Sequence, residues 1–224
     1  MERVFDAISS SLPLALGIAA SPLPVIAIII LLMTPRALSN SYSFLLGWFI
    51  GLNLVGWIIL LSHQMHETNG HPSSLAGWFR IILGSVFLIT SLFFARNITK
   101  KGANVSPPRW QEKIDSYGSG HSIVIGFTFS GLNFKNATLM VAASSSIGSF
   151  NLLISQAFVV LIIFSILASI GVLVPIMVFY LLRSKSEFVF GIMKNWLIRK
   201  RIVILFVVLI IFGCLLIYRG LNLL

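Results

Sequence analysis

The chain has 224 residues, of which 57% are hydrophobic and only 10% charged, whereas a soluble globular domain carries about 25% charged residues. With a mean hydropathy of +0.98, this excludes an ordinary soluble fold, and the continuous, non-alternating apolar runs point to membrane helices and away from a β-barrel. The formal net charge of +10 is confined to particular loops, so it reports topology and contact with anionic lipid, and no nucleic-acid partner is expected. A single cysteine, Cys214, excludes a disulfide framework and a cysteine metal cluster.

After a short start of mixed charge, Met1 to Ser10, an apolar segment spans Ser11 to Met33. The run continues well past Ala19-Ala20-Ser21, which argues against a leader cleaved there. Ser21-Pro22-Leu23-Pro24 interrupts it near the middle. Two prolines remove backbone donors and clash with preceding carbonyls, so the helix is expected to break or kink. A polar turn follows, in which Pro35, Arg36 and Asn40 are candidate turn or gating residues, with Arg36 chiefly a topology anchor. The second segment runs from Tyr42 to Ser62, and its Gly47, Gly51 and Gly56 offer a small-residue face for close helix contact. The next loop, His63 to Gly77, holds His63, His66, Glu67 and His71. His63-x-x-His66 lacks a clear third ligand, so a solvated loop is expected and no metal site.

The third segment spans Trp78 to Ala95 and ends at Arg96, and a polar linker from Asn97 to Gly120 divides the chain near its midpoint. The fourth segment, Ser122 to Ile147, puts Asn133-Phe134-Lys135-Asn136 where hydrocarbon is expected. A charge at such depth costs about 3 kcal/mol or more, so it faces a cavity, a partner or a pathway. The competing reading is that the ammonium satisfies the C-terminal carbonyls of a half-helix while Asn133 and Asn136 cap a broken one. The fifth segment, Leu152 to Leu182, contains Pro175 and is over-long, so tilt, a kink at the proline or an emergent end is expected. Residues 184–198 mix Lys185, Glu187 and Lys194 with Phe188, Phe190 and Trp196, which suits an interfacial helix. The sixth segment runs from Ile202 to Tyr218 and closes with Arg219.

Six spans place Arg36, the basic residues of 96–113 and those of 183–201 on one side, and only Arg3, Arg80 and Arg219 on the other. The excess marks the cytoplasmic side, with both termini outside. Three spans per half make the halves opposite in orientation. At an offset of 112 residues, Ser21-Pro22-Leu23-Pro24 falls on Asn133-Phe134-Lys135-Asn136. Interrupted first helices at matching positions of inverted halves point to a transporter's central site. The expected fold is an all-α integral membrane protein. Its six transmembrane helices form two inverted three-helix repeats, 1–96 and 121–224, joined by a cytoplasmic linker, 97–120. The first helix of each repeat is interrupted.

These residues also resemble a known family. Ala20-Ser21-Pro22-Leu23-Pro24, Pro35-Arg36-Ala37 with Asn40, and Gly47-Trp48 are similar to the first half of the Sap/GAP proteins, the sulfolipid- and glycopeptidolipid-addressing proteins of the LysE exporter superfamily. Pro108-x-Trp110, Asp115 and Asn133-Phe134-Lys135-Asn136 resemble the second half, where the family has Asn-Pro-Lys-Asn. Phe134 stands in the place of that proline, so a softer second break is expected. The resemblance implies export or surface delivery of lipids or glycolipids from the bacterial cytoplasmic membrane.

The six acidic residues, Glu2, Asp6, Glu67, Glu112, Asp115 and Glu187, all lie outside the expected spans. A carboxylate proton relay or an intramembrane cation site is therefore disfavoured, and a site containing Lys135 suits an anionic head group. Ser21, Pro22, Pro24, Asn133, Lys135 and Asn136 are the candidate substrate-binding residues. No nucleotide loop or catalytic constellation is present, so neither an enzyme nor a cofactor is expected. The expected partners are the bilayer, an amphipathic substrate, a second copy of the chain and envelope-lipid biosynthetic enzymes. Two alternatives stay open: a small-solute exporter, and a scaffold that recruits enzymes through 97–120 and 183–201.

Overall fold

The computed structural model describes residues 2–66, 74–99, 118–182 and 186–222. Within these, every regular element is helical. The first half comprises α1 (Glu2–Ala19), α2 (Pro22–Leu32), α3 (Ala37–His66) and α4 (Ser74–Thr99). In the second half, α5 (Ser119–Phe127) runs into a π-helical turn (Thr128–Leu132), followed by α6 (Phe134–Gly148), α7 (Ile154–Ala168), α8 (Ile170–Leu182) and α9 (Ser186–Leu221). Stretches of α3 (Ala37–Leu61) and α9 (Phe188–Leu221) are each long and apolar enough to cross a bilayer. Two bent pairs, α1 with α2 and α7 with α8, also qualify if each is one span, giving up to four. The apolar helices mark a membrane protein.

The break between α1 and α2 bends the chain by 56°. Its cause is local: Pro22 and Pro24 lie in the first turn of α2, where a missing N–H is harmless, but they leave the carbonyls of Ile18 in α1 and of Ala20 just after it without their i+4 donors. α2 then forms the centre of the core, with Ile26, Ile28, Ile29 and Leu31 wholly inaccessible.

Helix contacts sort the ends into two sets. At one end the Ser39 and Ser119 hydroxyls lie 2.8 Å apart and Tyr42 meets Tyr180, gathering the starts of α3 and α5 with the close of α8. At the other end Arg219 donates to the Ser10 carbonyl (2.9 Å) and Ser10 faces Ser146. There Arg3 and Val4 of α1 also share a cleft with Leu153 and Gln156. α3 therefore runs parallel to α5, α1 runs parallel to α7, and α4 packs antiparallel on α9.

The α3–α5 contact depends on glycine at both sides. A Cβ on Gly47 would lie 2.0 Å from the Ile123 carbonyl oxygen, and one on Gly126 would lie 2.1 Å from that of Phe44. This is the close approach expected of the Gly47/Gly51/Gly56 face, with Gly51 against Ser130 of the π turn and Gly56 against Met140 and Leu161.

Several boundaries differ from expectation. α1 begins at Glu2, so residues 2–10 are helical and Pro13 lies inside the helix. The backbone of His63 and His66 belongs to α3 and not to a loop, while Glu67 and His71 fall outside the described residues. The bend in the fifth segment, 55°, sits at Ser169 and not at Pro175. Ser169 donates back to the Ser165 carbonyl (2.6 Å), a hydrogen bond that bends helices, and Pro175 leaves the Gly171 carbonyl without its donor. No separate interfacial helix exists, because residues 186–221 form one continuous helix of 36 residues. Nothing between Lys194 and Phe212 breaks it. At 1.5 Å per residue it is about 54 Å long, which exceeds the hydrocarbon core of about 30 Å. The end bearing the exposed Arg199 and Lys200 is the surplus.

Candidate functional site

The two breaks meet inside the bundle. Ser21 closes the gap before α2 with φ −75° and ψ 114°, and Asn133 precedes α6 with φ −73° and ψ 117°. The two positions lie 112 residues apart and share one backbone conformation, so Phe134 does not soften the second break at its capping residue. The extended Asn133 is itself compatible with a following proline. Phe134 is exposed and packs edge-on against Phe87 of α4, with ring centroids 6.2 Å apart.

Asn136 is the link between the breaks. Its side chain is wholly buried; Oδ1 accepts from the Ser21 hydroxyl at 2.8 Å, and Nδ2 donates to the Phe129 carbonyl in the π turn at 2.8 Å. Its backbone N–H donates to the Asn133 side chain at 3.4 Å, which makes Asn133 the cap of α6. One amide side chain thus satisfies the Ser21 hydroxyl and a carbonyl near the end of the π turn.

Lys135 reaches across to the other break. Its ammonium, in a side chain only 8% exposed, donates to the Gly17 carbonyl at 2.6 Å. That carbonyl is free because Ser21 N–H, its regular i+4 partner, turns back to Ile18 O. The C-terminal end of α1 also carries the negative end of its dipole, which favours a cation there. The contact anticipated for a half-helix terminus is therefore made. An ammonium has three donors, and Gly17 takes one; among the described residues the other two have no acceptor and no carboxylate faces them. Glu2 and Asp6 lie on the exposed first turns of α1.

Ser21, Asn133, Lys135 and Asn136 are thus brought together, with Pro22 and Pro24 buried in the adjoining turn of α2. Pro35 and Arg36 are not part of this cluster: both are exposed at the turn before α3, where Asn40 is buried and its N–H donates to Arg36 O (3.0 Å). Sequence reasoning missed Gly17 and the position of the third break, in the fifth segment. A Cβ on Gly171, at the α7–α8 bend, would lie 2.0 Å from Ala19 O at the end of α1. The bend is also tied to α3, since Trp48 Nε1 donates to Ser169 Oγ at 3.1 Å. Beside it a groove of about 360 Å³ opens between α3 and α7–α8, lined by Tyr42, Leu45, Leu46, Phe49, Ile166 and Leu173 together with Ser169. Apart from Ser169 and the Tyr42 hydroxyl its walls are apolar.

Apolar helices broken in register and joined through a buried lysine and asparagine define a helical membrane protein organised around a pair of helix breaks. The chain belongs to the Sap, sulfolipid-1-addressing protein, family, whose model matches residues 12–222. No curated protein and no solved structure matches it.

Proposed function

We propose that this protein is an exporter of an amphipathic, anionic-headed lipid or glycolipid, working by alternating access between two inverted three-helix repeats in the bacterial cytoplasmic membrane. The observation that carries the reading is the buried Lys135 ammonium, with one carbonyl partner and two unfilled donors. Such a group is costly unless an anion joins it for part of the cycle. A phosphate, sulfate or carboxylate head would replace the Gly17 carbonyl, and losing that contact separates α6 from α1. Ser21 and Asn136 hold the same two elements and part in the same step.

The repeat is supported by reciprocal packing. The first span of each half lies along the second span of the other, α1 with α7 and α5 with α3, while the third spans, α4 and α9, pair with each other. Equal backbone conformations at Ser21 and Asn133 add to this. The lateral apolar groove favours a lipid over a small solute. Both termini lie outside in this reading, because the end that gathers α3, α5 and α8 carries the basic excess. The protein acts as a carrier and not as an enzyme. Most of the linker that a scaffold reading needs, 100–117, and residues 183–185 fall outside the described residues.

The test is complementation of a deletion strain, reading envelope lipids by mass spectrometry. Lys135→Ala and Lys135→Met are expected to reach near wild-type abundance and melt close to wild type, since each removes an incompletely paired buried charge but leaves the Gly17 carbonyl unpaired. Neither should restore export. A well-folded Lys135→Ala protein that exports like wild type would sink the assignment.

A further inference from the structure

Among the described residues, the end of the bundle that gathers Ser10 and Arg219 carries the cations Arg3, Arg80 and Arg219. Two of them converge. α4 and α9 cross where Gly77 meets Gly220, with a Cβ on Gly220 falling 2.8 Å from the Gly77 carbonyl oxygen and 2.7 Å from Ile81. Arg80 directly precedes Ile81 and Arg219 directly precedes Gly220, so the two guanidiniums flank one crossing. Both are half-buried, and Arg80 lies within the field of Arg219. Arg219 leans onto α1 through Ser10 O at 2.9 Å, and the Ser10 hydroxyl lies 3.4 Å from that of Ser146 on α6.

Like charges held together at a half-buried crossing repel, and a carboxylate between them is the usual remedy. Among the described residues none is paired with either arginine. Asp6, one turn before Ser10 on α1, is exposed and forms no ion pair with them. Two planar guanidiniums match the oxygens of a phosphate or sulfate group bidentately.

We propose that Arg80 and Arg219 form a second anion site that binds the phosphate- or sulfate-type head group of a lipid where α1, α4 and α9 meet. Its role as a release station for cargo leaving Lys135 rests on the export reading; the binding itself does not. The site lies at the end opposite the basic loops, so a head group that crosses from Lys135 is received by two cations instead of one.

The experiment uses purified full-length protein in dodecylmaltoside and measures binding of dioctanoyl phosphatidate, dioctanoyl phosphatidylcholine and inorganic phosphate. Wild type should bind phosphatidate about ten-fold or more tighter than phosphatidylcholine, the value of one or two charge-assisted hydrogen bonds. Arg80→Gln and Arg219→Gln should each erase most of that preference, while Lys135→Ala should leave the arginine-dependent component intact. Equal binding of the two lipids, or wild-type phosphatidate binding by glutamine variants with unchanged melting, overturns the site. Inorganic phosphate binding as tightly as phosphatidate overturns the lipid assignment. Should the glutamine variants not fold, Arg80→Lys with Arg219→Lys keeps both charges and loses the fork; it must weaken phosphatidate binding, and wild-type affinity overturns the site. Arginine-dependent binding in a chain whose Lys135→Ala variant still exports refutes the central site alone. The converse pair of results refutes this site alone.

Discussion

The hydrogen bond from Ser21 to Asn136 is a direct side-chain link between the two halves, and a double-mutant cycle measures it. At 2.8 Å between buried partners, a neutral hydrogen bond contributes about 0.5–1.5 kcal/mol net. Interhelical bonds in membranes average about 0.6 kcal/mol and reach about 1.7. Both partners are buried, so we expect a coupling of about 1 kcal/mol, in the upper half of that range. Ser21→Ala alone should cost about 1 kcal/mol. Asn136→Ala should cost about 2 kcal/mol or more, because it also unpairs the Phe129 carbonyl. Ser39 and Ser119 supply the control, being equally close at 2.8 Å but exposed. Their coupling should be near zero, since water competes for both hydroxyls. The assay is reversible unfolding in mixed micelles titrated with dodecyl sulfate. A Ser21/Asn136 coupling no larger than that of Ser39/Ser119 refutes the claim that the breaks are joined in a dry core.

Further substitutions test the packing. Phe134→Pro should fold with stability within about 1 kcal/mol of wild type: proline suits the first position of a helix, and the lost edge contact with Phe87 costs about 0.5–1.5 kcal/mol. A severe loss in thermal melting would show that the second break differs from the first. Gly126→Ala should lower stability by about 1–3 kcal/mol or more, because its Cβ meets the Phe44 carbonyl at 2.1 Å; an unchanged midpoint would contradict the close α3–α5 approach. Trp48→Phe should cost about 1 kcal/mol by unpairing Ser169 at the α7–α8 bend, read as a lower melting temperature.

Composition and proline chemistry made the membrane class and the first break legible. Those are local properties: mean hydropathy is a sum over residues, and Pro22 and Pro24 lack an N–H in any context. The matching second break was visible through Asn133 and Lys135, polar groups that hydrocarbon tolerates only with a reason. Local reasoning offered tilt, a kink at Pro175 or an emergent end for the fifth segment, whereas the chain bends at Ser169. The constraint of a proline acts on the preceding turn, and Ser165, Ser169 and Gly171 decide where in that turn the chain yields. It also divided 186–221 into two helices, since a basic cluster reads as a boundary although an isolated helix passes through it without cost to its hydrogen bonds.

The sequence by itself determined that Lys135 needed a partner, because burying an ammonium is unfavourable wherever it happens. Only the tertiary structure decided that the partner is the Gly17 carbonyl. That acceptor is unremarkable in sequence and becomes free only when Ser21 turns its N–H to Ile18. Likewise Arg80 and Arg219 stand 139 residues apart and read singly as sparse outer charges. The crossing at Gly77 and Gly220 makes them a pair. Desolvation acts on each residue separately and is written in the chain; pairing depends on distances that only packing sets.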